Sequence, residues 1–184
     1  MSAILSPHPS TPAGAVQRLT VEIAVFAGHQ LRLVYDLRGH PQVILWPPPQ
    51  ARQRTDGLWR HTCFEAFLQA PTGEYWEYNL SPSGAWAAYE FSGYRADMRP
   101  LAQDVAPDIV CETRVDSFQL SATLDLRWLA ARHSLAALRL GLSAVIEDRG
   151  RVLSYFALKH PAEKPDFHHA DSFVASLAPV KEHA

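Results

Sequence analysis

The chain has 184 residues, of which 17 are Lys or Arg and 19 are Asp or Glu, so its formal charge is −2 when the nine histidines are neutral. A chain so close to neutrality lacks the surplus of cations that non-specific binding to nucleic acid requires, and we expect no nucleic-acid partner. Hydrophobic residues make up 47% of the chain and charged residues 20%. This composition predicts a globular protein and excludes the disordered, collagen-like and coiled-coil classes.

The length favours one compact domain, because two domains would each be small. No stretch approaches the roughly 20 apolar residues that span a bilayer, so we expect no membrane partner. Residues 1–17 contain no Lys or Arg ahead of an apolar run, unlike a signal peptide, and we expect a cytoplasmic protein. Two cysteines without a CxxC pair exclude a disulfide scaffold and a cysteine-rich zinc site.

The first part of the chain changes from an irregular to a strand-like pattern. Residues 1–17 are rich in Ser, Pro, Ala and Thr without periodicity, which predicts an irregular N-terminal arm before a single domain over residues 18–184. Apolar residues then alternate over 19–25 and 31–37, which predicts a hairpin. Residues 43–46 form a short strand-like run that three prolines end, because proline cannot donate to a strand ladder.

Three strands in the middle of the chain carry the most informative pattern. Residues 62–69 are apolar on both alternations, so we expect a strand covered on both faces. Residues 74–80 alternate clearly, and the turn at 81–84 returns the chain into a strand over 85–91. The same pattern predicts later strands over 109–115, 118–124, 138–146, 152–158 and 173–177.

One helix is predicted, from Leu126 to Leu138, with Asp125 as its cap. About ten short strands joined by Gly and Pro turns, without regular alternation of strand and helix, favour an all-β fold. We therefore predict a β-sandwich of the jelly-roll or Greek-key type with one short helix.

The common motifs of nucleotide-binding proteins, serine hydrolases, zinc proteases and calcium loops are absent from the sequence. We accordingly predict no cofactor, no metal and no assigned catalytic residue. Cys63 has His61 two residues away but no third residue to orient the imidazole, so a buried, inert thiol is favoured over a nucleophile.

The densest polar cluster is residues 160–171, with three histidines, a lysine, a glutamate and two aspartates. A ligand-binding loop, a metal site and a solvated loop that caps its own backbone are the alternatives. The metal is the least favoured, because catalytic metal sites need about three protein ligands in a defined geometry. In an extended chain His168 and His169 point to opposite faces, so at most one of them faces a given pocket.

Glu65 stands among apolar neighbours in its predicted strand, and a buried carboxylate must be paired, hydrogen-bonded or protonated. It is either a ligand acceptor or base, or one partner of an ion pair across the sheet. Glu77 and Asn79 share one face of their strand, which is either a site or an exposed sheet face. Arg95 either presents its guanidinium to a ligand or closes a salt bridge to one of these acids. The candidate cations for Glu65 are Arg60, Arg95 and Lys159.

The chain has five Trp and six Tyr, and four of these Trp and five of these Tyr lie before residue 95. Sugars present apolar C–H faces that stack on aromatic rings, so Trp59, Trp76 or Trp86 is expected to stack on a ligand. The alternative is that most of these rings belong to the sandwich core, where they supply buried area.

Three segments carry a family resemblance. They are Leu58-Trp59-x-x-Thr62-Cys63-Phe64-Glu65-x-Phe67, then Glu77-x-Asn79-x-Ser81-Pro82-x-Gly84-x-Trp86-Ala87-x-Tyr89-x-Phe91-x-x-Tyr94-Arg95, and Pro165-Asp166-Phe167-His168 to Phe173. In these segments the chain resembles the bacterial DOMON-like domain proteins, relatives of the family-nine carbohydrate-binding modules. The resemblance implies a jelly-roll-like sandwich with a small ligand: a sugar in the binding modules and haem in some cytochrome members. Haem relatives use a Met and a His ligand, whereas this chain offers only Met1 and Met98, so no haem is expected.

We therefore predict non-catalytic binding of a small, carbohydrate-like or other polar ligand, without indication of an oligomeric state. One alternative is a sugar-modifying hydrolase, lyase or epimerase in which Glu65 and either His160 or His168 act as acid and base. Another is a protein-interaction module that uses a sheet edge. The predicted ligand-binding residues are Trp59, Glu65, Trp76, Glu77, Asn79, Trp86, Arg95, His160, His168 and His169.

Overall fold

A computed structural model describes residues 1–101 and 105–177; residues 178–184 of the predicted domain lie outside the described residues. The strands in the first half of the chain are β1 Ser2–Pro7, β2 Val16–Phe26, β3 Gln30–Gly39, β4 Cys63–Gln69, β5 Tyr75–Leu80 and β6 Trp86–Phe91. Those in the second half are β7 Arg99–Pro100, β8 Asp108–Thr113, β9 Ser117–Asp125, β10 Arg139–Glu147, β11 Leu153–Ala157 and β12 Ala175–Ser176. Helix α1 spans Arg127–Ala130, and 3-10 turns span Pro41–Val43, Leu58–Arg60, Leu135–Ala137 and Ala170–Ser172.

The strands form one continuous antiparallel path in the order β7-β6-β5-β4-β10-β11-β1-β2-β3-β9-β8, with β12 added beside β10. The path curls into two layers, and β1 joins them because it pairs with β11 on one side and with β2 on the other. This confirms the predicted all-β sandwich. In the described part of the chain, no helix has the length and apolar character needed to cross a membrane.

The main core lies between the two layers and follows the period-two pattern of the strands. Phe64, Ala66 and Leu68 of β4 are fully buried there. The ring of Tyr35 on β3 lies 5.0 Å from that of Phe64, and its hydroxyl donates to the main-chain oxygen of Glu65 at 2.8 Å. The layers are therefore held by apolar packing and by a buried hydrogen bond from side chain to backbone.

The outer face of the layer that contains β6, β5, β4, β10 and β11, called the first layer here, is buried as well, which confirms that β4 is covered on both faces. A second apolar cluster on this face includes Phe67, Tyr75 and Phe91, with Trp59 and Phe167 packed against it. These last two residues belong to segments outside the strands. The covering segments turn an ordinarily solvated sheet face into an enclosed one.

Two predictions near the chain ends are wrong. Residues 2–7, predicted as part of an irregular arm, form β1, because pairing with two neighbouring strands supplies hydrogen bonds that the sequence pattern does not reveal. The strand predicted over 173–177 is reduced to Ala175–Ser176 after a 3-10 turn.

Two predictions in the connections are wrong too. Residues 43–46 do not form a strand: Val43 ends the 3-10 turn Pro41–Val43, and Ile44 makes a single bridge to Asp148. The helix predicted from Leu126 to Leu138 is only four residues long, and the chain is already extended at Ser134. A segment this short gains little from helix propensity, so packing decides its shape. Asp125 still accepts a hydrogen bond from the backbone N–H of Arg127 at 3.0 Å.

Candidate functional site

A pocket of about 340 Å³ lies between the outer face of the first layer and its covering segments. Strands β4, β5, β10 and β11 supply its floor, and the segments around residues 59, 95 and 167 supply its walls. Its lining consists of Trp59, Glu65, Glu77, Phe91, Arg95, Met98, Val145, Tyr155, Pro165, Phe167 and His168. A partly enclosed cavity with aromatic walls and a few convergent polar groups is the usual form of a small-molecule site.

Two buried carboxyl groups lie in this pocket. Glu65 is opposite Asn79 in the pairing of β4 with β5, so Glu77 is its diagonal neighbour on the same face. Their exposed fractions are 2% for Glu65 and 4% for Glu77. Ser143 donates to Oε2 of Glu65 at 3.0 Å, and the side-chain amide of Asn79 donates to Oε1 of Glu77 at 2.6 Å.

Burial disfavours the charged form of both acids. Burial and the neighbouring carboxyl of Glu77 raise the pKa of Glu65 well above its ordinary value, against the opposing effects of Ser143 and Arg95. Burial also raises the pKa of Glu77 to about 7, although the hydrogen bond from Asn79 and the charge of Arg95 oppose it. At neutral pH the pair therefore retains at least one proton, and the site offers both donors and acceptors.

His168 closes the pocket from the covering segment. Its Nδ1 lies 2.8 Å from the hydroxyl of Tyr75, which in turn accepts the backbone N–H of Arg95 at 3.1 Å. Because the tyrosine hydroxyl accepts from Arg95, we assign its own proton to the bond with Nδ1, which places the imidazole proton on Nε2, 3.8 Å from Oε2 of Glu77. Burial and the charge of Arg95 lower the pKa of His168 to about 4, so the ring is neutral at physiological pH.

Arg95 and Asp166 join the two covering segments at the rim. The guanidinium donates to Oδ1 of Asp166 at 2.8 Å, and the hydroxyl of Tyr94 donates to its Oδ2 at 2.6 Å. Although burial opposes it, these contacts lower the pKa of Asp166, which is ionised at neutral pH. Arg95 therefore forms its salt bridge with Asp166, and not with Glu65 or Glu77, the two acids considered from the sequence.

Glu65 and Glu77 have no salt bridge to a lysine or arginine among the described residues. The ion pair considered for Glu65 in the sequence does not form, and its burial is tolerated through protonation and hydrogen bonding instead.

Five of the ten predicted ligand-binding residues line the pocket together: Trp59, Glu65, Glu77, Arg95 and His168. Asn79 lies directly behind them and orients Glu77. The structure therefore brings together side chains from four separate stretches of the chain in one cavity.

Trp76 and Trp86 do not belong to this group. Both are buried in the core between the layers, on the opposite face of β5 and β6. The ring of Trp76 lies 5.6 Å from that of Trp128. These two rings cannot stack on a ligand in the pocket, and their assignment to the site is corrected to the core.

His160 and His169 lie outside the pocket lining as well. Nε2 of His160 donates to the main-chain oxygen of Ser6 at 2.8 Å, and Nδ1 of His169 accepts from the backbone N–H of Asp171 at 3.2 Å. Both therefore have structural partners in their own surroundings. The described residues contain no group of three or more His, Cys, Asp or Glu arranged to hold a metal ion.

Cys63 is fully buried, and burial raises its pKa well above the ordinary value. His61 does not face it but binds Oε2 of Glu147 at 2.8 Å. The prediction that this thiol is buried is confirmed, and its raised pKa disfavours the thiolate that a nucleophile needs.

Several pocket residues were missed by the sequence reasoning. Phe91, Tyr155 and Phe167 add aromatic rings to the lining, and Ser143 orients Glu65. The alternation of β6 and β10 places Phe91 and Ser143 on the outer face, so pairing those strands with β5 and β4 would have indicated them. Nothing local in the sequence places Phe167.

No protein-family model and no curated protein sequence matches this chain. Among solved structures, it is similar to a candidate carbohydrate-binding protein from Bacteroides uniformis ATCC 8492, with a TM-score of 0.67, 15% identity, and coverage of 95% of this chain and 84% of that chain.

It is also similar to a family-nine carbohydrate-binding module from Caldicellulosiruptor kristjanssonii. The complex with glucose gives a TM-score of 0.54 and 10% identity, over 91% of this chain and 80% of that chain. The complex with cellotriose gives 0.59 and 10%, over 99% and 84%. At these identities the likeness establishes the fold: the chain adopts the β-sandwich of the family-nine carbohydrate-binding modules.

Proposed function

We propose that this protein is a non-catalytic module that binds a small carbohydrate in the pocket above Glu65 and Glu77. The observation that carries the proposal is the meeting of two buried, hydrogen-bonding acids with aromatic walls in one cavity of about 340 Å³. The carbohydrate-binding modules with the same fold, one of them in complex with glucose and with cellotriose, support this ligand class.

The polar groups of the pocket suit the hydroxyl groups of a sugar. A protonated Glu65 donates through its O–H and accepts through its other oxygen, whereas Glu77 accepts once it is ionised. Nε2–H of His168 adds a donor at the opposite wall. A hydroxyl group both donates and accepts, so a polyol satisfies this mixed set better than an apolar ligand does.

The apolar groups suit the C–H faces of a sugar ring. Trp59 and Phe167 come from different covering segments, and Tyr155 comes from the floor. These rings provide flat, apolar surfaces beside the two acids. A pocket of this size is at the lower end of the range of about 300–1,000 Å³ for small-molecule sites, which favours a single sugar or the end of a short chain.

Isothermal titration with glucose, cellobiose and cellotriose tests the proposal. Val145 lies on the pocket floor, and Val145→Phe fills the cavity from β10. Val110→Phe on β8 is the matched control, because Val110 is 68% exposed on the other layer. We expect the wild type and V110F to bind and V145F to lose binding. The proposal is wrong if no saccharide binds, or if V145F binds as well as V110F.

A second candidate is a sugar-modifying enzyme, which the convergence of Glu65, Glu77 and His168 in one pocket favours. Two neighbouring acids whose environments raise their pKa values are the usual equipment for general acid and base chemistry. The version that uses His160 is excluded, because this residue lies outside the pocket. Incubation with aryl glycosides decides between the candidates: turnover that Glu77→Gln abolishes would support an enzyme, and binding without turnover supports the module.

A further inference from the structure

We propose that the preferred ligand is a saccharide that carries a protonated amine, such as an amino sugar, with its ammonium group between Glu65 and Glu77. This inference rests on the proposed carbohydrate-binding function and names the class of sugar. Its basis is the imbalance between anionic and cationic groups in the pocket.

The charges of the pocket do not cancel. Among the residues that the structure describes, Arg95 is the only arginine in the lining, and Asp166 neutralises it at 2.8 Å. The titratable groups that face Glu77 are Glu65, Cys63, Tyr75, Tyr89, Arg95 and His168. Tyr35 and Tyr155 also face Glu65. Because His168 is neutral, the described residues supply no free cation to the two acids.

Each acid has one oxygen held by the protein and one left for a ligand. Oε2 of Glu65 accepts from Ser143, and Oε1 of Glu77 accepts from Asn79. No described residue donates a hydrogen bond to the other oxygen of either carboxyl, although both acids are more than nine-tenths buried in the pocket lining. Two unpartnered oxygens on diagonal neighbours form a site for a group with several donors.

An ammonium group meets this requirement better than a hydroxyl group does. It carries three donors, no acceptor and a positive charge, so it can bind both free oxygens and relieve the repulsion between two ionised acids. Without a ligand, a bound proton relieves this repulsion, and a ligand's ammonium group would replace that proton. Trp59 and Phe91 line the same pocket, and aromatic rings attract a cation that lies over their faces.

Titration of the whole protein with glucosamine, glucose and N-acetylglucosamine at pH 6.5 tests the inference, because these sugars differ only at one carbon. We expect glucosamine to bind about tenfold more tightly than glucose, since a charge-assisted hydrogen bond is stronger than a neutral one. N-acetylglucosamine, whose nitrogen is uncharged, should show no such gain.

Repeating the glucosamine titration in two buffers of different ionisation enthalpy should show release of a proton, because the ammonium group displaces the proton that the two acids hold.

Two variants locate the ammonium. Glu65→Gln and Glu77→Gln should each reduce the ratio of glucosamine to glucose affinity towards one. Glu74→Gln is the matched control: it makes the same change of charge at a side chain that faces His133 at 3.1 Å instead of the pocket, and should keep the ratio.

The possible failures are distinguishable. Equal binding of glucose and glucosamine, or a glucosamine preference that survives both pocket substitutions or releases no proton, overturns the amine and leaves the carbohydrate module intact. Failure of all three sugars to bind overturns the amine together with the proposed function.

Discussion

The hydroxyl of Tyr75 lies 2.8 Å from Nδ1 of His168, which is 93 positions later in the chain. The same hydroxyl accepts the backbone N–H of Arg95 at 3.1 Å. One strand residue on the sheet face thus binds two of the three segments that cover the pocket. Tyr75 on the sheet therefore holds the segments of Arg95 and His168 in place over the pocket.

We therefore expect Tyr75→Phe to weaken the site and the fold together. Removal of the hydroxyl leaves partly buried groups on two covering segments without this partner, at a cost of about 1 kcal/mol of unfolding free energy. Urea unfolding measures this cost, and saccharide titration should show a lower affinity because His168 and Arg95 are less well held.

Tyr89→Phe is the control for this effect. Its hydroxyl donates to Asp56 at 2.6 Å and contacts neither covering segment that carries His168 or Arg95. It should lower stability but keep affinity. Equal affinity in wild type and Y75F would contradict the role given to Tyr75.

Stability should fall as the pH rises above 6.5. The folded-state pKa of Glu77 is about 7 and that of Glu65 is also raised, so the folded chain holds protons that the unfolded chain has lost. The free energy of unfolding decreases with rising pH wherever the folded state binds more protons than the unfolded state. His168 acts in the opposite sense, because its folded-state pKa of about 4 is below its ordinary value of 6.5. The stability gained from His168 with rising pH levels off above about pH 6.5, the ordinary pKa of histidine. Above this pH the two acids determine the change in stability.

Thermal unfolding between pH 6.5 and 8 measures this effect. Each kcal/mol lost lowers Tm by about 2–4 °C in a chain of this size. Glu77→Gln should flatten the decline, whereas Glu74→Gln should keep it. A wild-type Tm that is constant or rises over this interval would show that the acids are not held protonated.

Trp59 and Trp86 should respond differently to substitution, because they lie on opposite sides of the same layer. Trp59→Ala removes a pocket wall, so affinity for a saccharide should fall about tenfold or more. Trp86→Phe alters the core between the layers, so Tm should fall while affinity is kept. Titration and thermal unfolding of both variants test the assignment, which the reverse pattern would refute.

Gly141 permits the close packing of Phe173 on β10. A Cβ at this position would meet the ring at Cδ1 and Cε1, the latter at 2.9 Å, and Phe173 is fully buried. Gly141→Ala should therefore cost about 1–3 kcal/mol through overpacking. Gly93→Ala meets nothing within 4 Å and should be nearly neutral. Urea unfolding compares the two, and equal stability would contradict the packing.

Strand alternation in the sequence predicts the floor of the site and excludes Trp76 from it. It places Tyr75, Glu77 and Asn79 on one face of β5, and the same alternation places Trp76 on the other. Trp76 was nevertheless expected at the site because its ring suits a sugar. Face periodicity is the stronger constraint, since a side chain cannot cross the sheet to reach a ligand.

The walls of the site could not be predicted in this way. Arg95, Asp166 and His168 lie in segments without a regular period, and they meet only because the strands place these segments over the same sheet face. The strand at residues 2–7 was missed for a related reason. Its backbone pairs with two distant strands, and tertiary hydrogen bonding overrides a composition rich in Ser and Pro.

A crystal structure of the protein grown with glucose tests the central claim most directly. We expect a sugar ring in the pocket beside Trp59, with hydroxyl oxygens within about 3 Å of the carboxyl groups of Glu65 and Glu77. A sugar bound at another surface, with these two acids still facing an unliganded pocket, would contradict the claim.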